Sequence, residues 1–144
     1  MKTFVVMGAF ALAVVSGQAA AACSEGAGWK KMNAAGSGGS LALSTLGGKT
    51  VCVGAAPTWD AQEFHQTPSG AANNLIDFKR GPGHATDPTG PVGKWTLVGD
   101  QINYNYGTGG NYTYDVYEKN GDYSFCVGAN ERAAATIRTG QVGC

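Results

Sequence analysis

Six residues able to ligate a metal or move a proton fall within 28 positions: Asp60, Glu63, His65, Asp77, His84 and Asp87. Glu63 and His65 are two apart, so on a β-strand they share a face. Their spacing matches neither H-E-x-x-H nor a calcium loop, and no metal or cofactor is expected from it. Glu63 and Asp77 form the one carboxylate pair expected on adjacent core strands, the arrangement glycoside hydrolysis uses. A small glycine-rich domain leaves little cleft for a polysaccharide, however. The sequence has no G-x-S-x-G elbow. An enzyme reading therefore reduces to one requirement, that Glu63, His65 and Asp77 converge in a single cleft. No catalytic residue is assigned on sequence alone.

Two other groups of residues suit binding. Lys79, Arg80 and His84 lie in "FKRGPGHATDP", residues 78–88, which has no phosphate-loop spacing and no helix behind it to present N–H groups. They read as a surface for a partner protein, the loop 79–91 acting as an inhibitor's contact. All six tyrosines sit between Gln101 and Phe125. A tyrosine joins a large ring to one polar handle. Trp95, Tyr104, Tyr106, Tyr112 and Tyr114 fall on faces that would line a ligand cavity, which for a drug-sized ligand needs about 300 Å³. Tyr117 falls on the polar face with Asp115 and is the tyrosine expected to be displayed to a partner.

The elements that must position these residues are strands. "KTVCV" (49–53), "AQEFH" (61–65) and "NLIDFK" (74–79) are short extended runs, with Phe64, Ile76 and Phe78 expected inward. "RGPGHATDPTGP" (80–91) holds three of the five prolines and reads as a loop. Five strands then follow at 94–98, 101–106, 111–118, 122–127 and 133–138, separated by short turns that include Gly99-Asp100 and Asn120-Gly121. Trp95 and Leu97 alternate with polar neighbours, as do Ile102, Tyr104 and Tyr106, then Tyr112, Tyr114 and Val116, then Tyr123, Phe125 and Val127. Cys126 breaks the pattern, which predicts a bulge or a disulfide there. "SLALSTL" (40–46) is expected to make a helical turn with Leu41 and Leu46 inward. About eight antiparallel strands without crossover helices predict an all-β meander closed, or nearly closed, into a barrel, the alternative being a two-layer sandwich.

The ends of the chain suggest its compartment. Lys2, the apolar run Phe4–Val15 and the small residues Ser16–Ala22 have the layout of a secretory signal peptide. That apolar run is too short to span a membrane as a helix, which takes about 20 residues. Residues 23–40 read as a flexible leader and 41–144 as one β-domain, secreted or periplasmic. Cys23 directly follows "AAA", a place where a lipid anchor is conceivable, but four cysteines, Cys23, Cys52, Cys126 and Cys144, favour two disulfides. Cys52–Cys126 with Cys23–Cys144 is the expected pairing, and Cys52–Cys144 with Cys23–Cys126 the alternative. The chain has 10 Lys+Arg and 10 Asp+Glu with no basic cluster, which argues against nucleic acid.

Gly93-Lys94-Trp95, opening the meander, resembles the G-x-W start of the calycin superfamily, the lipocalins and avidins. Arg138 on the last strand resembles the late arginine that packs over that tryptophan. The resemblance implies an eight-stranded barrel, or a close relative, that binds a ligand. The size, export signal and paired cysteines also look like those of small periplasmic barrel inhibitors of proteases or lysozyme. Together these observations lead to a non-catalytic binding module whose partner is a small apolar ligand or an exported protein.

Overall fold

A computed structural model describes residues 22–39, 41–67, 73–77 and 90–144. The expected signal peptide, apart from Ala22, lies outside the described residues, as do Phe78, Lys79, Arg80 and His84.

Among the described residues nine strands occur in chain order: β1 (Lys30–Lys31), β2 (Lys49–Val53), β3 (Ala61–His65), β4 (Asn74–Asp77), β5 (Gly90–Val98), β6 (Gln101–Asn105), β7 (Asn111–Lys119), β8 (Asp122–Val127) and β9 (Asn130–Thr139). Each of β2 to β9 pairs antiparallel with the next, and β9 returns to β2. The result is a closed up-and-down barrel of eight strands, with β1 as a ninth strand outside the ring. Closure leaves no long unpaired edge. β1 binds β7 opposite Tyr117 and Glu118, beyond Tyr114 where the β6 pairing ends.

The turns follow from their residues. Asn120 and Gly121 both adopt positive φ, 53° and 90°, as a two-residue hairpin whose twist matches its strands requires. Gly93 is needed for a different reason: a Cβ there would sit 2.7 Å from the Asn105 carbonyl oxygen across the β5–β6 ladder. Gly90 and Pro91, expected in the loop, instead begin β5, with a bulge between Leu75 and Ile76 where Pro91 meets β4. Pro supplies no N–H, so the ladder shifts where it enters.

The barrel has two unlike ends. One carries the 99–100 and 120–121 turns and the start of β2. It is filled by the segment before β2: Met32, Leu43 and Leu46 are buried in the core with Leu75, Trp95, Ile102 and Val116. A 3-10 turn, Leu43–Leu46, sets Leu43 and Leu46 on one side. The inward residue is therefore Leu43 and not Leu41, which is 43% exposed, because three-residue spacing aligns 43 with 46. The other end, here the mouth, carries the 54–60, 106–110 and 128–129 connections, and the connection from Asp77 to Gly90 leaves from it.

Residues 23–39, expected as a flexible leader, are docked on the barrel. Cys23 bonds Cys126, Met32 is fully buried, and the Met32 N–H donates to the Val116 carbonyl at 2.7 Å. Trp29 packs on the outer face with Cys23, Tyr117 and Cys126, and Lys119 Nζ lies 5.9 Å from its ring centre.

The disulfides are Cys23–Cys126 and Cys52–Cys144, the alternative pairing and not the favoured one. The register explains the correction. On β9, Cys52 lies opposite Thr136 and Cys126 opposite Glu131. Five strand residues separate these levels, about 16 Å, whereas a disulfide needs Cα atoms about 4.4–6.8 Å apart. The C-terminal tail instead crosses the outer face of β2 and β3. Thr50 Oγ1 donates to the Gly140 carbonyl, and the Cys144 N–H donates to Gln62 Oε1. Cys126 faces outward past a bulge between Phe125 and itself, as its break in the alternation predicted. No helix among the described residues is long and apolar enough to cross a membrane.

Candidate functional site

The interior face of β3 is the surprise. Phe64 and Ile76, expected inward, are cross-strand partners on the outer face, where Phe64 is 8% exposed. Ala61, Glu63 and His65 point inward instead. The register fixes this: Val51, a core residue, lies opposite Glu63, while outward Cys52 lies opposite Gln62. Directly opposed strand residues share a face.

Turning Glu63 and His65 into the barrel requires hydrogen-bond partners, because buried polar groups without them are costly. The tyrosines of β6 supply them. The Tyr106 hydroxyl donates to both Glu63 carboxylate oxygens, at 3.0 and 2.8 Å. His65 Nδ1 lies 3.1 Å from the Glu63 backbone oxygen and Nε2 lies 2.7 Å from the Tyr104 hydroxyl. A carbonyl only accepts, so Nδ1 carries the proton and Nε2 accepts from Tyr104. The ring is fully buried between Trp95 and Tyr104.

Burial shifts each of these groups toward its neutral form. It lowers the His65 imidazole from 6.5 to about 4, and outweighs the opposing effect of the hydrogen bond to the Glu63 carbonyl. It raises Glu63 above 4.5; the Tyr106 hydrogen bond partly reverses this and the nearby Asp77 charge adds to it. It also pushes Tyr104 and Tyr106 well up, with Glu63 contributing to both. Glu63 and Asp77 are cross-strand partners on β3 and β4.

A cavity of about 110 Å³ lies inside the mouth half of the barrel. Tyr104, Tyr106, Tyr114 and Phe125 give it aromatic walls, and Glu63 gives it a carboxylate. Val51, Val53, Ala61 and Ala133 complete the lining, the alanines leaving the space that larger side chains would fill. Tyr104 holds the rings together: its centroid is 6.4 Å from Tyr106, 5.9 Å from Tyr114 and 6.2 Å from Phe125. No known protein family matches the chain, nor does any curated protein or solved structure.

Of the ligand candidates, Tyr104, Tyr106 and Tyr114 line this cavity and Trp95 and Tyr112 do not. Trp95 lies toward the closed end, its Nε1 donating to the Gln66 carbonyl at 3.1 Å. Tyr112 is 46% exposed at the rim, its hydroxyl donating to the Gly109 carbonyl. The cavity is also well below the expected 300 Å³, and a carboxylate makes it less than purely apolar. Tyr117 does face outward, but Trp29 and the Cys23–Cys126 bridge cover it, leaving it 9% exposed. Arg138 does not pack over Trp95: it lies on the outer face opposite outward Thr50 and donates to the Gly143 carbonyl. Glu63 and Phe125, with Val51, Val53, Ala61 and Ala133, are the lining residues the binding candidates missed. Glu63, His65 and Asp77 do lie near one another, but only Glu63 among them lines the cavity.

Two predictions arise from this network. Tyr106→Phe removes the hydroxyl that binds Glu63 and should cost about 1–3 kcal/mol of stability. The Glu63 carboxyl pKa, followed by ¹³C NMR, should rise further; an unchanged pKa would contradict the hydrogen bond's role. His65 makes stability depend on pH. Its folded pKa lies below the unfolded value, so its contribution is full above 6.5 and is lost as pH falls toward 4. The shift corresponds to about 3 kcal/mol. Glu63 acts oppositely, since its raised pKa stabilises the fold most at low pH. Comparing urea unfolding of wild type and His65→Gln at pH 4.5 and 7 leaves the Glu63 effect common to both. The wild type should lose more stability on acidification than the variant, and equal losses would refute the buried neutral imidazole.

Proposed function

We propose that the protein is an exported, non-catalytic binding module that takes a small molecule into the mouth of its barrel. The observation carrying this reading is the cavity of about 110 Å³ walled by four aromatic rings around Glu63. Concave, mostly apolar space with a few placed polar groups is the usual form of a ligand site. Its volume suits a ligand of a few heavy atoms, since a cavity of about 150 Å³ holds benzene. The small-molecule reading is preferred to a protein surface centred on Tyr117 because Trp29 and the Cys23–Cys126 bridge cover that side chain. It is preferred to catalysis because the buried His65 does not line the cavity, and among the described residues the lining holds no serine, threonine or cysteine to act as nucleophile.

Export is supported by the signal-like residues 1–22 and by two disulfides, which persist in oxidising compartments. The Cys23 sulfur is bonded to Cys126 and so is not available for a lipid thioether.

Native mass spectrometry of the protein produced with its leader tests this reading. The mass should correspond to a chain starting near Cys23 with two disulfides. At least one member of a panel of soluble molecules of up to about five heavy atoms should form a non-covalent adduct. That adduct should be absent from Ala133→Phe, whose ring occupies the cavity. Identical adducts on both proteins, or none on either, would overturn the proposal.

A further inference from the structure

The binding reading leaves the chemistry of the ligand open, and the walls of the cavity narrow it. Resting on that reading, we infer that the ligand is a small free alkylammonium ion, held between the Glu63 carboxylate and the rings of Tyr104, Tyr106, Tyr114 and Phe125.

The donors and acceptors decide the sign of charge. An anion needs free donors, and two of the three hydroxyls are committed. Tyr106 donates to Glu63, and Tyr104 donates to His65 Nε2. Among the described residues the remaining lining side chains, Phe125 and the aliphatic Val51, Val53, Ala61 and Ala133, have no donor to offer. A carboxylate, by contrast, has about four acceptor positions, and the hydrogen bonds to Glu63 come from one phenol. Among the described residues no lysine or arginine forms an ion pair with Glu63. Asp77, its cross-strand partner, adds a second negative charge nearby. Arg132 acts on Tyr114 from an exposed rim position, where solvent screens it.

The rings reinforce that sign. An aromatic face carries the negative end of the ring quadrupole, and a cation over such a face gains about 0.5–2 kcal/mol. Tyr114 and Phe125 meet at 90°, while Tyr104 is tilted by 31° to 52° from its three neighbours Tyr106, Tyr114 and Phe125. The rings thus form walls at several angles, as a cup for a rounded ion does and a slot for a flat one does not. The volume of about 110 Å³ admits the whole of an ion such as tetramethylammonium.

Calorimetric titration with tetramethylammonium chloride and with tert-butyl alcohol, its neutral counterpart in shape, tests the inference. Wild type should bind the cation at least about tenfold more tightly. Glu63→Gln keeps an acceptor for Tyr106 and removes the charge; it should erase that preference while leaving the alcohol's affinity alone. Should this variant not fold, Phe125→Leu serves in its place. It should weaken the cation about fivefold and the alcohol not at all. Equal affinities in wild type, or binding of the alcohol alone, would overturn the cationic assignment and leave the binding module standing. Binding of neither probe would overturn both.

Discussion

Trp95→Ala is expected to destabilise the protein by about 4 kcal/mol, the largest loss for any single side chain in the barrel. Trp95 is buried between the plug before β2 and the His65 ring, in one core with Leu46, Leu75, Ile102 and Tyr104. Removing the indole opens a void that the closed barrel cannot collapse around, because each neighbouring strand is paired on both sides. It also strips the Gln66 carbonyl of the Nε1–H donor. His65 then loses one of the two rings that shield it. Urea unfolding followed by far-ultraviolet circular dichroism gives the value. A loss below about 1 kcal/mol would mean that the plug does not seat on Trp95.

The second large effect concerns the sulfur bridges. Cys52→Ser/Cys144→Ser should lower stability by about 4 kcal/mol, and Cys23→Ser/Cys126→Ser by a similar amount in the chain-entropy view. The separations are 92 and 103 residues, and loop length enters only as a logarithm. The two pairs should differ in what loosens. Without Cys52–Cys144, the tail over Thr50 and Gln62 is released while the N-terminal arm stays seated. Without Cys23–Cys126, the arm carrying Trp29 and β1 loses its covalent tie, and Tyr117 becomes accessible. Hydrogen exchange resolved by residue distinguishes the two. Peptide mapping that joins Cys52 to Cys126 would contradict the strand register itself.

Much of this fold is legible in the sequence because its turns are. Asn120-Gly121 and Gly99-Asp100 fix two-residue hairpins, and once these are set the alternation of β5 to β8 can close only with Trp95, Ile102, Tyr104, Val116 and Phe125 inward. β3 defeats the same rule. In "AQEFH" the large apolar residue is Phe64, so hydrophobicity alone turns Glu63 and His65 outward. What turns them inward is a pair of hydroxyls on Tyr104 and Tyr106, some forty residues away, and no local pattern in β3 announces them. The disulfide pairing was hidden for a related reason. It depends on levels along β9, a register that sequence separation does not encode. The docking of residues 23–39 rests on Met32 and Cys23, two side chains in a stretch whose composition otherwise reads as a linker.

The site divides in the same way. Tyr104, Tyr106 and Tyr114 could be placed from their alternation, whereas Glu63 depended on the inversion of β3 and Ala61 and Ala133 carry no signal of their own. A cavity is made as much by small residues as by large ones.

The most direct test of the account is solution NMR of the aromatic rings during titration with the panel of small molecules. The rings of Tyr104, Tyr106, Tyr114 and Phe125 should shift together and saturate at one common ligand concentration. Tyr117, on the outer face under Trp29, should stay still. Saturable shifts confined to Tyr112 or Tyr117, with the four cavity rings unmoved, would contradict a binding site inside the mouth of the barrel.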